Sequence, residues 1–87
     1  MESYYRVVSD LEREVSPLLS ISDREFVAPL AQEPPSFAAE LLDMAADSGA
    51  VVSATLLTDV EAILLPDADE YDTKMIVSAI SRLRDPV

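Results

Sequence analysis

The chain has 87 residues, a net charge of −11, no Cys and no His. That length sets the expectation of one domain over residues 1–87. The missing Cys excludes disulfides and thiolate metal sites. The missing His removes the commonest general base, the commonest metal ligand and the usual pH switch. An apolar fraction of 49% argues for a folded core over disorder, and an aromatic share of 6% makes that core aliphatic.

In chain order, Tyr4, Val8, Leu11, Val15 and Leu18 recur at helical spacing, with Val7 and Leu19 beside them. Glu2, Asp10, Glu12, Arg13 and Glu14 take the other faces. This predicts an amphipathic helix over about 2–16, ended or kinked by Pro17, which has no amide proton to donate. Ser22 and Glu25 have the spacing of a capping box for a short helix through Phe26, Val27, Leu30 and Ala31, made irregular or partly 3₁₀ by Pro29. Glu33-Pro34-Pro35 is a break. Ser36 then caps a helix over 37–46 with the stripe Phe37, Leu41, Met44 and Ala45. Gly49, the one glycine, sits where a left-handed residue closes a helix.

Residues 50–65 admit two readings. Ala50–Leu57 has strand-like Val and Thr content, but a strand there needs a hairpin partner at Val60–Leu65, and Thr58-Asp59 is a poor two-residue turn. Helix is the favoured reading, with Thr58 and Glu61 as a capping box. Asp67, Asp69 and Glu70 lead into a last helix with Arg82 and Arg84 near its end, which suits the helix dipole at both termini. Its stripe is Tyr71, Met75, Ile76, Ala79, Ile80 and Leu83, and Asp85-Pro86 terminates it. The expected fold is all-α, a compact bundle of four to five short helices, with an α+β form carrying a small hairpin at 50–65 as the alternative.

The charge is unevenly placed along the chain. Residues 1–24 hold five acids against three Arg, residues 25–73 hold eleven acids and no base, and residues 74–87 hold Lys74, Arg82 and Arg84 against Asp85. Such a middle repels nucleic acid, whose phosphates need Lys and Arg. It suits a basic protein surface, solubility, or adaptation to high salt. No apolar run has the length of a membrane span, and the N-terminus lacks the basic and apolar regions of a secretory signal. A cytoplasmic location is therefore expected, with no membrane partner.

Catalytic constellations are sparse. Lys74, the sole lysine, falls mid-helix on a solvated face. Paired carboxylates need a cleft that raises one pKa, which a chain of this length seldom builds. Asp67-x-Asp69-x-Tyr71 matches the opening of an EF-hand calcium loop, but Asp72 stands where Gly is needed and Ser78 where a bidentate Glu is needed. No metal, cofactor or catalytic residue is assigned.

One stretch resembles the second half of an acyl carrier protein. It runs from Ala46-Asp47-Ser48 through an apolar stretch and Pro66-Asp67-Ala68-Asp69-Glu70 to Ala79-Ile80. In that family a Ser at the start of an acidic helix carries phosphopantetheine, and the resemblance would give Ser48 that role. Gly49 follows it where the family has a bulky apolar residue. The other reading of Asp47-Ser48-Gly49 is a helix stop.

The residues point first to a non-enzymatic protein-binding module that inhibits, chaperones or regulates a protein partner, with an acidic face toward a basic surface. Its expected binding residues are Glu33, Glu40, Asp43, Asp47, Asp59, Glu61, Asp67, Asp69 and Glu70. The apolar surplus in Ala50–Leu57 and Ile63–Leu65 suggests a patch for that partner or for a second copy in a homodimer. The alternatives are the carrier-like protein with Ser48 as its site, and a structural or oligomerisation domain of a salt-adapted protein.

Overall fold

A computed structural model describes residues 2–84, with side chains from Tyr4 to Arg84; the Asp85-Pro86 stop and the side chain of Glu2 lie outside the described residues. Among the described residues there are five α-helices and no strand: α1 (Glu2–Val15), α2 (Ile21–Val27), α3 (Pro34–Ser48), α4 (Ala54–Asp59) and α5 (Glu70–Arg84). The all-α reading therefore holds, and residues 50–65 contain no hairpin.

Helix α1 buries Val7, Leu11 and Val15 completely. The expected continuation of that stripe through Leu18 is corrected: Leu18 is 52% exposed and Leu19 is buried instead. The cause is Pro17, which sits in a 3₁₀ turn over Ser16–Leu18. Leu19 closes that turn with an extended backbone, φ −92° and ψ 154°, so helical spacing no longer sets which residue faces inward. The cap of α2 also lies earlier than expected. Ser20, not Ser22, accepts the Asp23 amide at 3.1 Å, and Ser22 is already inside the helix. Pro29 converts the following residues to a 3₁₀ turn, Ala28–Gln32.

Helix α3 begins one turn before the expected start. Pro34 and Pro35 occupy its first positions, where the missing amide protons cost nothing and the fixed φ is already helical. Ser36 is therefore inside the first turn. Its hydroxyl is turned outward from its own backbone and donates to Asp72 Oδ2 of α5 at 2.7 Å. At the other end Gly49 takes φ 72°, ψ 22°, and its amide is bonded back to the last turn. Helix α4 likewise starts earlier than Thr58. Ser53 caps it, its hydroxyl accepting the Leu56 amide at 3.3 Å. The chain then widens into a π-helical turn, Val60–Leu64, closed by the Leu65 amide on the Val60 carbonyl. Val60 and Leu64, at the two ends of that turn, are both fully buried. A 3₁₀ turn through Pro66 and a cap from Asp69, whose carboxylate accepts the Asp72 amide at 2.8 Å, start α5.

Helices α3 and α5 run side by side in the same direction. Ser36 meets Asp72 at their N-terminal ends, and Asp43 and Asp47 meet Arg82 at their C-terminal ends. The partners stay 35 to 39 residues apart in sequence along the whole contact, as a parallel pair in register requires. The side chains between are small or aliphatic: Ala38, Leu41, Leu42, Ala45, Ile76, Ala79 and Ile80, all buried. Tyr71, expected in the α5 stripe, is instead 67% exposed. The inward place in that first turn is taken by Asp72, which is buried because Ser36 satisfies it. Helix α4 and the π turn run back along α1. Glu14 holds the Ser53 amide and hydroxyl at one end, and Tyr4 feels the charge of Asp67 at the other.

Because a Cβ at Gly49 would meet nothing within 4 Å, the requirement there is conformational alone. Gly49→Ala is expected to lower stability by about 1 kcal/mol, the cost of a left-handed φ for a residue with a Cβ. Chemical denaturation measures it, and an unchanged midpoint would contradict the left-handed closure of α3.

Candidate protein-binding face

Glu40, Asp43 and Asp47 are spaced i, i+3 and i+7 on α3, which lines them up along one face. Asp23 comes toward the same face from α2. Together with Met44 and Ser48 these residues line an open cleft of about 440 Å³ between the two helices. Four carboxylate residues line this cleft, and among the described residues one cation is paired with them. Arg82 of α5 donates to Asp43 at 2.6 Å and to Asp47 at 2.8 Å. Glu40 and Asp23 have no ion pair among the described residues. Burial pushes the Glu40 carboxyl above its ordinary value, and the negative charges of Asp43 and Asp72 push it further the same way. The Arg82 guanidinium is held more firmly protonated, mainly by its bonds to Asp47 and Asp43.

The other expected binding residues do not gather at this cleft. Glu61 is paired with Arg84 at 2.6 Å, and Arg84 also donates to Thr58 at 3.3 Å. Glu70 pairs with Lys74 at 3.4 Å within α5, both side chains well exposed. Asp69 is the α5 cap. Asp67 is exposed in the linker, where it adds to the rise that burial produces in the Tyr4 phenol. Glu33 is exposed at the start of α3, its carbonyl accepting the Phe37 amide at 2.9 Å. Asp59 lines a second open groove with Asp10, Arg13, Glu14, Ser53, Thr55 and Leu56. There Arg13 is paired with Asp10 and Glu14 is occupied by Ser53.

Asp23 was not among the expected residues because it lies just before the base-free window, beside Arg24. Arg82 and Arg84 were read as complements to their own helix dipole, yet their partners are on α3 and on α4 with its π turn. The expected apolar patch is also corrected. Val52, Leu56, Leu57, Val60 and Leu64 are core, and Val51 is the one large apolar side chain of that stretch left strongly exposed, at 87%. Other exposed large apolar side chains include Leu18 before α2 and Ile21 and Phe26 on it.

Ser48 ends α3 and does not begin a helix. Its hydroxyl donates to the Ala45 carbonyl of the preceding turn at 3.1 Å. The dipole at this end of a helix is negative and disfavours a phosphate, the reverse of the setting implied by the carrier resemblance. Among the described residues no group of three or more acids is arranged to hold a metal ion, and no helix is long and apolar enough to cross a membrane.

The raised Glu40 pKa has a signed consequence. The folded state holds that proton more tightly than the unfolded chain, so the ionised Glu40 carboxylate opposes folding at neutral pH, and the opposition fades as pH falls through the raised value. Glu40→Gln is expected to raise the melting temperature at pH 7, with the gain shrinking toward zero near pH 4. A gain that stays constant across that range would contradict the electrostatic reading of the cleft.

No protein-family model, curated protein or solved structure matches the chain.

Proposed function

We propose that the protein is a non-enzymatic protein-binding module that inhibits, chaperones or regulates a basic protein partner through the cleft between α2 and α3. The observation that carries this reading is the convergence of Asp23, Glu40, Asp43 and Asp47 on one cleft with a single cation among them. Burial, and after it the charges of Asp43 and Asp72, disfavour the ionised Glu40 carboxylate, and a cation placed beside it favours that ionised form. Helix α2, which brings Asp23 to the cleft, also carries the exposed Phe26, and aromatic side chains are enriched at protein-binding faces. The remaining expected acids serve as caps, as internal ion pairs or as isolated surface charges, which narrows the binding set from nine residues to Glu40, Asp43 and Asp47, with Asp23 added.

The test is affinity capture from native extract with the wild-type protein and with Asp23→Lys/Glu40→Lys. Neither residue is fully buried, so the fold should survive both changes, and circular dichroism checks that. The expected result is a basic protein held by the wild type at low salt. It should be released at roughly 0.5 M salt, where screening shortens the electrostatic range to a few ångströms, and it should not be held by the double variant. Equal capture by both proteins, or capture indifferent to salt, would contradict the proposal.

A further inference from the structure

Among the described residues, helices α3 and α5 make the most extensive contact between two elements, and its apolar part repeats every turn. On α5 the inward Ile76 and Ile80 are four residues apart, and on α3 Ala38 and Leu42 are likewise four apart, all buried. Sliding one helix past the other by a turn exchanges isoleucine for isoleucine, so these side chains favour close packing without choosing one register. The ion pairs at the C-terminal end choose weakly too. Arg82 is 42% exposed, and Glu40, Asp43 and Asp47 offer it a carboxylate on three successive turns of α3, so a one-turn slip leaves it a partner.

We infer that the buried contact between Ser36 and Asp72 is what fixes the register of the α3–α5 pair. Asp72 is the one buried charged side chain among the described residues, and its carboxylate accepts from the Ser36 hydroxyl at 2.7 Å. A buried carboxylate that loses its donor bears the full cost of leaving water. One turn before Ser36 on α3 stands Glu33, and one turn after it stands Glu40. A slip of one turn in either direction therefore moves Asp72 from a hydroxyl that donates to a carboxylate that repels. The Asp72 charge already contributes, after burial and Asp43, to the raised pKa of Glu40. The pair acts on uniqueness more than on stability. Replacing both partners of a buried polar contact by apolar side chains is often neutral or stabilising, whereas a single buried polar pair can specify register.

Because the chain has no Cys, nitroxide labels at Gln32→Cys and Ser81→Cys are unique, and both positions are exposed. Double electron–electron resonance then reads the distance along the pair, and the labelled protein is expected to show one distance. In the labelled Ser36→Ala/Asp72→Leu variant, helicity and melting temperature should be kept. Its distance should split, with a second component displaced by about 5 Å, the rise of one helical turn. The labelled Ser36→Thr variant retains the hydroxyl and should keep the one distance. An unchanged single distance in Ser36→Ala/Asp72→Leu overturns the inference, because apolar packing then suffices for the register. Loss of helicity in that variant overturns it too, because the pair is then needed for stability. So does an equal spread in Ser36→Thr, which would show that any change at the site loosens the pair.

Discussion

Helices α3 and α5 lie in register with their N-termini together, and the placement of the other elements follows from that contact. Two parallel helices cannot be joined by a short turn, so residues 49–69 must return along the full length of the pair. They do so as α4, the π turn and the 3₁₀ turn through Pro66, laid against α1. Parallel dipoles bring like partial charges together at each end. At the N-terminal end the buried Asp72 and the capping Asp69 answer the positive poles, and Ser36 supplies the hydrogen bond that lets Asp72 be buried. At the C-terminal end Arg82 and Arg84 answer the negative poles and reach across to Asp43, Asp47, Glu61 and Thr58. The small side chains Ala38, Ala45 and Ala79 are fully buried, consistent with close approach of the two backbones.

That arrangement also decides where negative charge is left over. Asp47 lies in the last turn of α3, where the helix dipole disfavours a carboxylate, and Asp43 is one turn earlier. One arginine is shared between them, while α2 brings Asp23 to the same place and Glu40 completes the row. Elsewhere Asp10 pairs with Arg13, Glu61 with Arg84 and Glu70 with Lys74, and Glu14 holds the start of α4, while Glu12, Glu25, Glu33, Asp59 and Asp67 have no ion pair among the described residues.

The helices are readable because their apolar stripes are periodic and their stops are chemical: Leu11 and Val15 at helical spacing, Pro17 as a helix end, Pro29 as a 3₁₀ signal and Gly49 as a left-handed closure, although Val7 and not Val8 is the fully buried residue of α1. Helix starts were less readable. Ser22, Ser36 and Thr58 all have capping chemistry, but so do Ser20 and Ser53, and tertiary contacts chose among them. The π turn left no local signal, since Val60 and Leu64 read equally well as an ordinary helical stripe. The site was half readable. Helical spacing puts Glu40, Asp43 and Asp47 on one face, whereas the arginines that neutralise part of the acidic middle come from 23 to 39 residues further along the chain. A base-free window in sequence is not a base-free surface once α5 packs on α3.

The central proposal is that a basic partner binds between α2 and α3. Two-dimensional amide NMR during titration with a basic peptide locates its binding place directly. The account predicts that the largest shift changes fall on residues 21–27 and 40–48 and disappear on adding salt. Changes centred instead on Glu33, on Asp67–Glu70 or on the Asp10–Asp59 groove would contradict it.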